Sequence, residues 1–210
     1  MIQAVDGVLG NRWPRVFCRA YQETSAIAPA ANANLAAFRW TDLRVLCVPL
    51  RVWINVNVAT AVTAQRTDPL RLFIARAYTA RDATNATAVT ISAGMQKLRS
   101  DAPFDSLLVG SASGNFDVAN AAAGLTGGTK TVDSTAIGSK AFGVEVLAGL
   151  GTGMEGDIWV GAPQGSMPPQ FRAQAIGGGE GLLVQWGATA LATGTVTVGV
   201  GIEWAELTNA

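Results

Sequence analysis

The sequence predicts an all-β protein, an antiparallel β-sandwich of jelly-roll or Greek-key type. Apolar residues alternate with period two in many segments, and helical periodicity is hard to find. The segments between them are rich in Gly, Ala, Asn, Pro and Ser, and several are longer than a hairpin loop. Such connections let the chain cross between two sheets. A chain of 210 residues fits one domain, which we assign to residues 1–210.

The clearest half-buried strand is "VWINVNVATAV", residues 52–62. Its apolar side chains at 52, 54, 56 and 58 fall on one face, and Trp53, Asn55 and Asn57 fall on the other. In contrast, "LRLFIARAY", residues 70–78, is apolar on both faces before Arg76, which is typical of an inner strand. The closing stretch "GTVTVGVGIEW", residues 194–204, again alternates and predicts a strand that completes a sheet.

The first forty residues give weaker strand signals and include a run of small residues from Ser25 to Ala37. This composition predicts an extended N-terminal arm over residues 1–40. We expect this run, the connection from Asn115 to Lys130 and the connection from Gly149 to Pro169 to be interaction elements.

The composition predicts a protein that associates. Charged residues make up 14% of the chain, hydrophobic residues 49%, and the formal net charge is zero, so repulsion between copies is weak. A homo-oligomer is therefore expected. Without a basic excess, nucleic acid is not expected as a partner. No export signal and no apolar run of membrane-spanning length is present, so no membrane association is expected. Cys18 and Cys47 are expected to be buried free thiols.

The residues do not favour the chemistry of any known enzyme class. The chain has no histidine, which excludes Ser-His-Asp, Cys-His and His-metal mechanisms. "GLTGGTKT", residues 124–131, is close to a phosphate-binding loop, but Thr129 replaces the required glycine, which favours a polar turn. A glycosidase pair, Glu203 with Glu145 or Asp157, stays a weak alternative. The sequence predicts a non-enzymatic protein without cofactor or metal.

Aromatic and arginine side chains supply the candidate interface residues. Trp186 and Trp204 fall in register with apolar residues and are predicted to be core. Trp53 stands on the polar face of its strand, where either a subunit interface or a sugar platform would place it. The predicted interface set is Trp53, Arg76, Arg81, Arg99, Phe116 and Trp159. A carbohydrate-binding jelly roll for host attachment is the alternative, with Trp53, Trp159 or Tyr78 as the stacking residue.

Three stretches of the sequence carry a resemblance. They are "LRLFIARAYTARDATNATAVTISAGMQKLRS", "TKTVDSTAIGSKAFGV" and "GEGLLVQWGATALATGTVTVGVGIEWAEL". Together they resemble a group of tailed-bacteriophage structural proteins over roughly residues 70 to 210. The matched positions are Thr79, Ala80 and Asp82; Lys97, Leu98 and Arg99; Gly179, Glu180 and Gly181; and Trp204 with Glu206.

The resemblance implies a virion component with a β-sandwich fold and no active-site residues. On this basis we expect a capsid cement or decoration protein, made in the host cytoplasm, that bridges subunits of the major capsid protein and copies of itself. A neck or tail-adaptor subunit is the related alternative, because both roles depend on interfaces and neither requires chemistry.

Overall fold

The computed structural model describes residues 16–43, 45–64, 66–89, 115–144, 154–161, 168–174 and 178–208. These residues form strands joined by turns and loops, and none of them is helical. The strands are β1 (Val16–Glu23), β2 (Asn34–Arg39), β3 (Val45–Thr60), β4 (Arg66–Tyr78), β5 (Ala86–Ala88), β6 (Phe116–Ala119), β7 (Thr131–Val132), β8 (Gly138–Val144), β9 (Met154–Val160), β10 (Ala173–Gln174), β11 (Gly178–Trp186) and β12 (Thr195–Thr208).

The strands form two antiparallel sheets in a sandwich-like arrangement, which confirms the predicted fold class. The four-stranded sheet has the order β1-β12-β3-β9. The eight-stranded sheet has the order β5-β6-β2-β11-β4-β7, with β8 beside β4 and β10 beside β11. The strands β1 to β4 alternate between the two sheets, because β1 and β3 lie in the four-stranded sheet and β2 and β4 in the eight-stranded sheet. The choice between jelly roll and Greek key stays a prediction.

The two sheets differ in how their strands are buried. In β3 the side chains from Arg51 to Val58 alternate between half-buried and buried, as its period-two pattern predicts. In β4 four consecutive residues, 72–75, are all buried, as predicted for an inner strand. The four-stranded sheet therefore keeps a solvated outer face, whereas the centre of the eight-stranded sheet is buried on both faces.

The core between the sheets is built from large apolar side chains. Trp186 and Trp204 are both buried, which confirms their predicted placement. Phe38 links the layers, because its ring lies 5.4 Å from that of Trp204 and 6.3 Å from that of Phe116, measured between ring centroids. Burying each such side chain contributes about 1.5–3 kcal/mol. This packing holds the sheets rigidly enough to position the surface features described below.

The predicted N-terminal arm is wrong for residues 16–40. Residues 16–23 pair with β12 along their whole length as β1, and β2 lies between β6 and β11 inside the eight-stranded sheet. Leu35, Ala36 and Ala37 are buried there. Small side chains fit a strand that is covered on both faces, so this run is core and not an exposed arm. Residues 1–15 lie outside the described residues.

All three predicted interaction elements contain strands. From Ser25–Ala37, residues 34–37 belong to β2, and Ser25 and Ala26 are exposed. From Asn115–Lys130, residues 116–119 form the buried strand β6. From Gly149–Pro169, residues 154–160 form β9, which pairs with β3. Residues 149–153 and 162–167 lie outside the described residues. A glycine-rich stretch is thus a strand here because β3 supplies the pairing partner that local sequence does not reveal.

The two cysteines and the glycosylation-like "NAT" motif have structural roles. Cys18 and Cys47 are both buried thiols outside any disulfide, as expected. Burial raises the pKa of the Cys47 thiol well above its usual value, which keeps it unreactive. Asn85 adopts φ of 59° in a turn, and its side-chain amide donates to the carbonyl of Gly124 at 3.1 Å. This is a common use of asparagine at a left-handed backbone position.

Candidate functional site

The outer face of the four-stranded sheet brings together aromatic, charged and glycine residues from all four strands. The register places Tyr21, Gly201, Trp53 and Asp157 in one row across β1, β12, β3 and β9. The next row contains Glu23, Gly199, Asn55 and Glu155. Because alternate residues of a strand share a face, both rows point away from the core.

Tyr21 and Trp53, which we call the aromatic platform, lie over the glycines of β12 on the outer face of the sheet. Their rings are parallel within 8°, and their centroids are 6.4 Å apart. A Cβ atom at Gly199 would collide with the Tyr21 ring, and one at Gly201 would collide with the Trp53 ring. The two glycines of β12 therefore form the floor on which the rings rest. Covering glycines with aromatic rings also strengthens a strand that glycine would otherwise weaken.

Neighbouring polar groups fix the platform. The Tyr21 hydroxyl donates to Glu23 Oε1 at 2.9 Å. The Arg51 guanidinium carbon lies 5.2 Å from the centroid of the Trp53 ring, and Arg51 Nε donates to Asp157 Oδ1 at 2.6 Å. Burial, followed by the bond to Glu23, raises the pKa of Tyr21 to about 12. The phenol therefore stays neutral at physiological pH.

A concavity of about 460 Å³ opens beside the platform. It is lined by Arg19, Ala20, Tyr21, Trp53, Asn55 and Glu155. Tyr21 is 41% exposed, which is high for an aromatic side chain. The site thus presents ring faces, carboxylates, an amide and a guanidinium to solvent, a combination suited to binding.

A second cluster lies on the eight-stranded sheet and is closed to solvent. The carboxylate of Asp82 is buried and accepts from Lys130 Nζ at 2.6 and 2.7 Å. It also accepts from the Gly128 backbone N–H at 2.9 Å and from the Tyr78 hydroxyl. Burial and the bond to Asp82 raise the pKa of Tyr78 well above its usual value. These donors bond within the chain, so this cluster stabilises the fold.

The Asp82 cluster fixes one end of residues 120–130, which we call the pinned loop. Backbone bonds reinforce it on both sides: the N–H of Leu125 donates to Asn34 O at 2.7 Å, and Thr84 exchanges two bonds with Thr126 at 3.1 and 3.2 Å. Lys130 of "GLTGGTKT" is thus committed to Asp82, and the predicted polar turn is confirmed. Most of the loop is nevertheless exposed, as is the β7 strand that follows it.

Two of the predicted interface arginines have partners inside the chain. Arg76 pairs with Asp133 at 2.9 Å and with Glu180 at 2.6 Å, and the bond to Asp133 raises its pKa. Arg81 lies 3.0 Å from the buried Asp117, whose pKa is raised by its burial. These cations hold the outer surface of the eight-stranded sheet together. Arg99 lies outside the described residues.

The predicted aromatic residues separate into surface and core. Trp53 belongs to the aromatic platform. Trp159 is half-buried and packs against the core. Phe116 and Tyr78 are each 1% exposed, so neither offers a surface in the isolated chain. Among the predicted residues that the structure describes, Trp53 is the one that lines the concavity, and its partner Tyr21 was not predicted.

The positions that carry the phage resemblance are structural wherever they are described. Gly179 and Gly181 have no room for a Cβ, because it would collide with the carbonyl oxygens of Trp40 and Phe38. The Trp204 indole N–H donates to Glu206 at 3.1 Å within the core. At these positions the motifs therefore encode turns and packing.

Three other possibilities are a metal site, a membrane-spanning helix and a pair of glycosidase carboxylates. No group of three or more His, Cys, Asp or Glu side chains that could hold a metal ion occurs among the residues described. In the same residues no helix is long and apolar enough to cross a membrane. Of the carboxylates weighed for a glycosidase, Asp157 is engaged by Arg51 and Glu145 lies outside the described residues.

Sequence reasoning missed Tyr21 because its β1 strand signal is weak and its partners lie far along the chain. A signal does exist in the closing strand, where the outward positions 199 and 201 are both glycine. Paired outward glycines in a long strand leave a trough that large neighbouring side chains can fill.

Comparisons of the chain with protein-family models, with curated proteins and with solved structures found no match.

Proposed function

We propose that this protein is a structural component of a tailed-bacteriophage virion, a cement or decoration protein that docks on the major capsid protein. Two things support this proposal: the resemblance over roughly residues 70 to 210, and a surface whose ordered features suit contact. In this role the protein acts by binding across subunit junctions. Each added contact must be broken before the shell can open.

The observation that carries the proposal is the pinned loop. It is exposed along most of its length, yet its backbone is fixed by the pair of the buried Asp82 and the half-buried Lys130. A loop that is already ordered loses little conformational entropy on binding, so its contacts convert efficiently into affinity. Val132, 38% exposed at the end of the loop, adds an apolar contact.

The composition of the loop also suits a protein partner. Its exposed residues are small or polar, among them Ala122, Ala123 and Thr126, and they allow another backbone to approach closely. The Lys130 charge is neutralised by Asp82, so the loop presents no strong field that would favour an ionic ligand. The proposed docking surface consists of residues 120–132.

Co-sedimentation with shells of the phage that encodes the protein tests this function. Wild-type protein should pellet with shells, and Ala123→Arg and Val132→Asp should each remain in the supernatant. Val160→Asp is the matched control, because Val160 is 59% exposed on the other sheet. It should pellet like wild type.

Two results would contradict the proposal. Folded wild-type protein that does not associate with shells would remove the virion role. Equal loss of binding in Val132→Asp and Val160→Asp would remove the pinned loop as the docking surface. Light scattering on the same samples gives the mass in solution. The predicted homo-oligomer requires a mass of at least two chains of 21.7 kDa each.

A further inference from the structure

We infer that the aromatic platform is a carbohydrate-binding site that takes a pyranose ring of a neutral glycan. This goes beyond the docking function, because the platform lies on the four-stranded sheet and the docking surface lies at β7 of the eight-stranded sheet. A protein docked through the pinned loop would leave the platform free to bind a second partner.

The ring geometry points to a flat ligand. Tyr21 and Trp53 are parallel within 8° and lie over Gly199 and Gly201 of β12, and the Arg51 guanidinium lies over the Trp53 ring. Tyr21, which is 41% exposed, therefore presents the more open ring surface beside the concavity. The C–H bonds of a pyranose form an apolar face that packs on such a ring. Aromatic anchors of protein interfaces instead fill pockets in the partner, which rings held against the sheet cannot enter.

The polar rim points to hydroxyl groups. Glu23 and Glu155 supply carboxylate acceptors, Arg19 supplies guanidinium donors, and Asn55 supplies an amide. Asn55 lines the concavity, although its Oδ1 is buried without a hydrogen-bond partner. A sugar hydroxyl can donate and accept, and therefore suits a rim with both kinds of group.

The charges at the rim favour a neutral ligand. Two carboxylates, Glu23 and Glu155, face one guanidinium from Arg19, and Arg51 is already paired with Asp157 at 2.6 Å. An anionic sugar or a phosphate would be repelled by the excess negative charge. The concavity of about 460 Å³ lies within the range of roughly 300–1,000 Å³ that is typical of small-ligand sites.

The test is titration of the folded protein with panels of neutral and of acidic oligosaccharides, followed by calorimetry and saturation-transfer NMR. At least one neutral oligosaccharide should bind, with saturation transfer from the protein to its ring C–H protons. Tyr21→Ala and Trp53→Ala should each weaken the Kd by about tenfold or more, because each removes a stacking face. Tyr21→Phe keeps the ring and should stay within about threefold of wild type.

Val132→Asp is the control that separates this inference from the docking function. It should bind sugar like wild type, and Tyr21→Ala should still pellet with shells. Absence of binding to every neutral oligosaccharide would overturn the inference, as would binding that survives both ring deletions. Binding confined to the acidic panel would overturn the ligand class. Near-UV circular dichroism confirms that each variant is folded, and the NMR contact map of wild type tests the location without any variant.

Discussion

The aromatic platform and the Asp82 cluster use similar side chains for opposite purposes. In the cluster, Tyr78 and Asp82 are buried, Lys130 is half-buried, and their polar atoms bond to one another. In the platform, Tyr21 is 41% exposed, and the polar groups around it line an open concavity. A tyrosine beside a carboxylate thus stabilises the fold in the Asp82 cluster and forms an exposed surface in the aromatic platform. Burial, and not residue type, decides which.

This difference follows from the two sheets. The eight-stranded sheet is buried on both faces at its centre, so polar groups near it must satisfy one another. The four-stranded sheet has a solvated outer face, where polar groups can bond to water and are free to exchange water for a ligand. The four predictions that follow either sharpen this comparison or break it.

The largest expected effect is that of Asp82→Ala. Removing the buried carboxylate leaves the Lys130 ammonium, whose side chain is 9% exposed, uncompensated, which should lower the free energy of unfolding by about 3 kcal/mol. Asp157→Ala removes a comparable pair with Arg51 on the exposed face and should cost at most about 1 kcal/mol. Urea unfolding measures both. Equal costs would show that the two clusters do not differ in burial.

An alanine in place of a glycine should cost more in the eight-stranded sheet. At Gly181 the new Cβ would meet the carbonyl oxygen of Phe38, which is backbone and cannot move aside, so we expect a loss of about 1–3 kcal/mol. At Gly201 it would meet the Trp53 ring, which can swing toward solvent, so the loss should stay below about 1 kcal/mol. The reverse order in urea unfolding would contradict the open character of the platform.

A small gain in stability is expected from Ala77→Gly. Ala77 has φ of 49° in β4, where the pairing with β11 is irregular, and a left-handed backbone costs an L-residue about 1–2 kcal/mol. Glycine relieves this cost but loses more chain entropy, which leaves a gain of about 0.5–1 kcal/mol. Ala75→Gly, in the same strand without a positive φ, should instead lose about 1 kcal/mol. Thermal unfolding of the two variants decides the sign.

The smallest effect is spectroscopic. The chain has two tyrosines, so Tyr78→Phe leaves Tyr21 as the single phenol that an absorbance titration can report. Its midpoint should lie at about pH 12, and Glu23→Gln should lower it. Because the unfolded phenol titrates near pH 10, the stability linked to Tyr21 is fully present below pH 10. It is lost as the pH rises toward 12. A midpoint near 10 in folded protein would contradict the contacts of the platform.

The sequence was informative wherever burial follows directly from local pattern. The alternation at 52–58 and the continuous apolar run at 72–75 correctly predicted the half-buried strand of one sheet and the inner strand of the other. The core positions of Trp186 and Trp204 followed from the same register argument. Each of these depends on residues that are neighbours in the chain.

Features that depend on distant residues could not be predicted. Tyr21 meets Gly199 only because β1 pairs with β12 across most of the chain. Lys130 meets Asp82 across 48 residues. The stretch from Ser25 to Ala37 was read as an arm because small residues look alike in exposed loops and in a strand that is covered on both faces. Which environment applies is set by β6 and β11, the strands on either side of β2.

Hydroxyl-radical footprinting of shell-bound protein tests the central claim most directly. The claim is that the pinned loop docks while the aromatic platform stays open. Oxidation of the peptide that carries Val132 should fall on binding, while Tyr21 and Trp53 should be oxidised as in free protein. Protection of Tyr21 and Trp53 with Val132 unchanged would contradict the account and would make the four-stranded sheet the docking face.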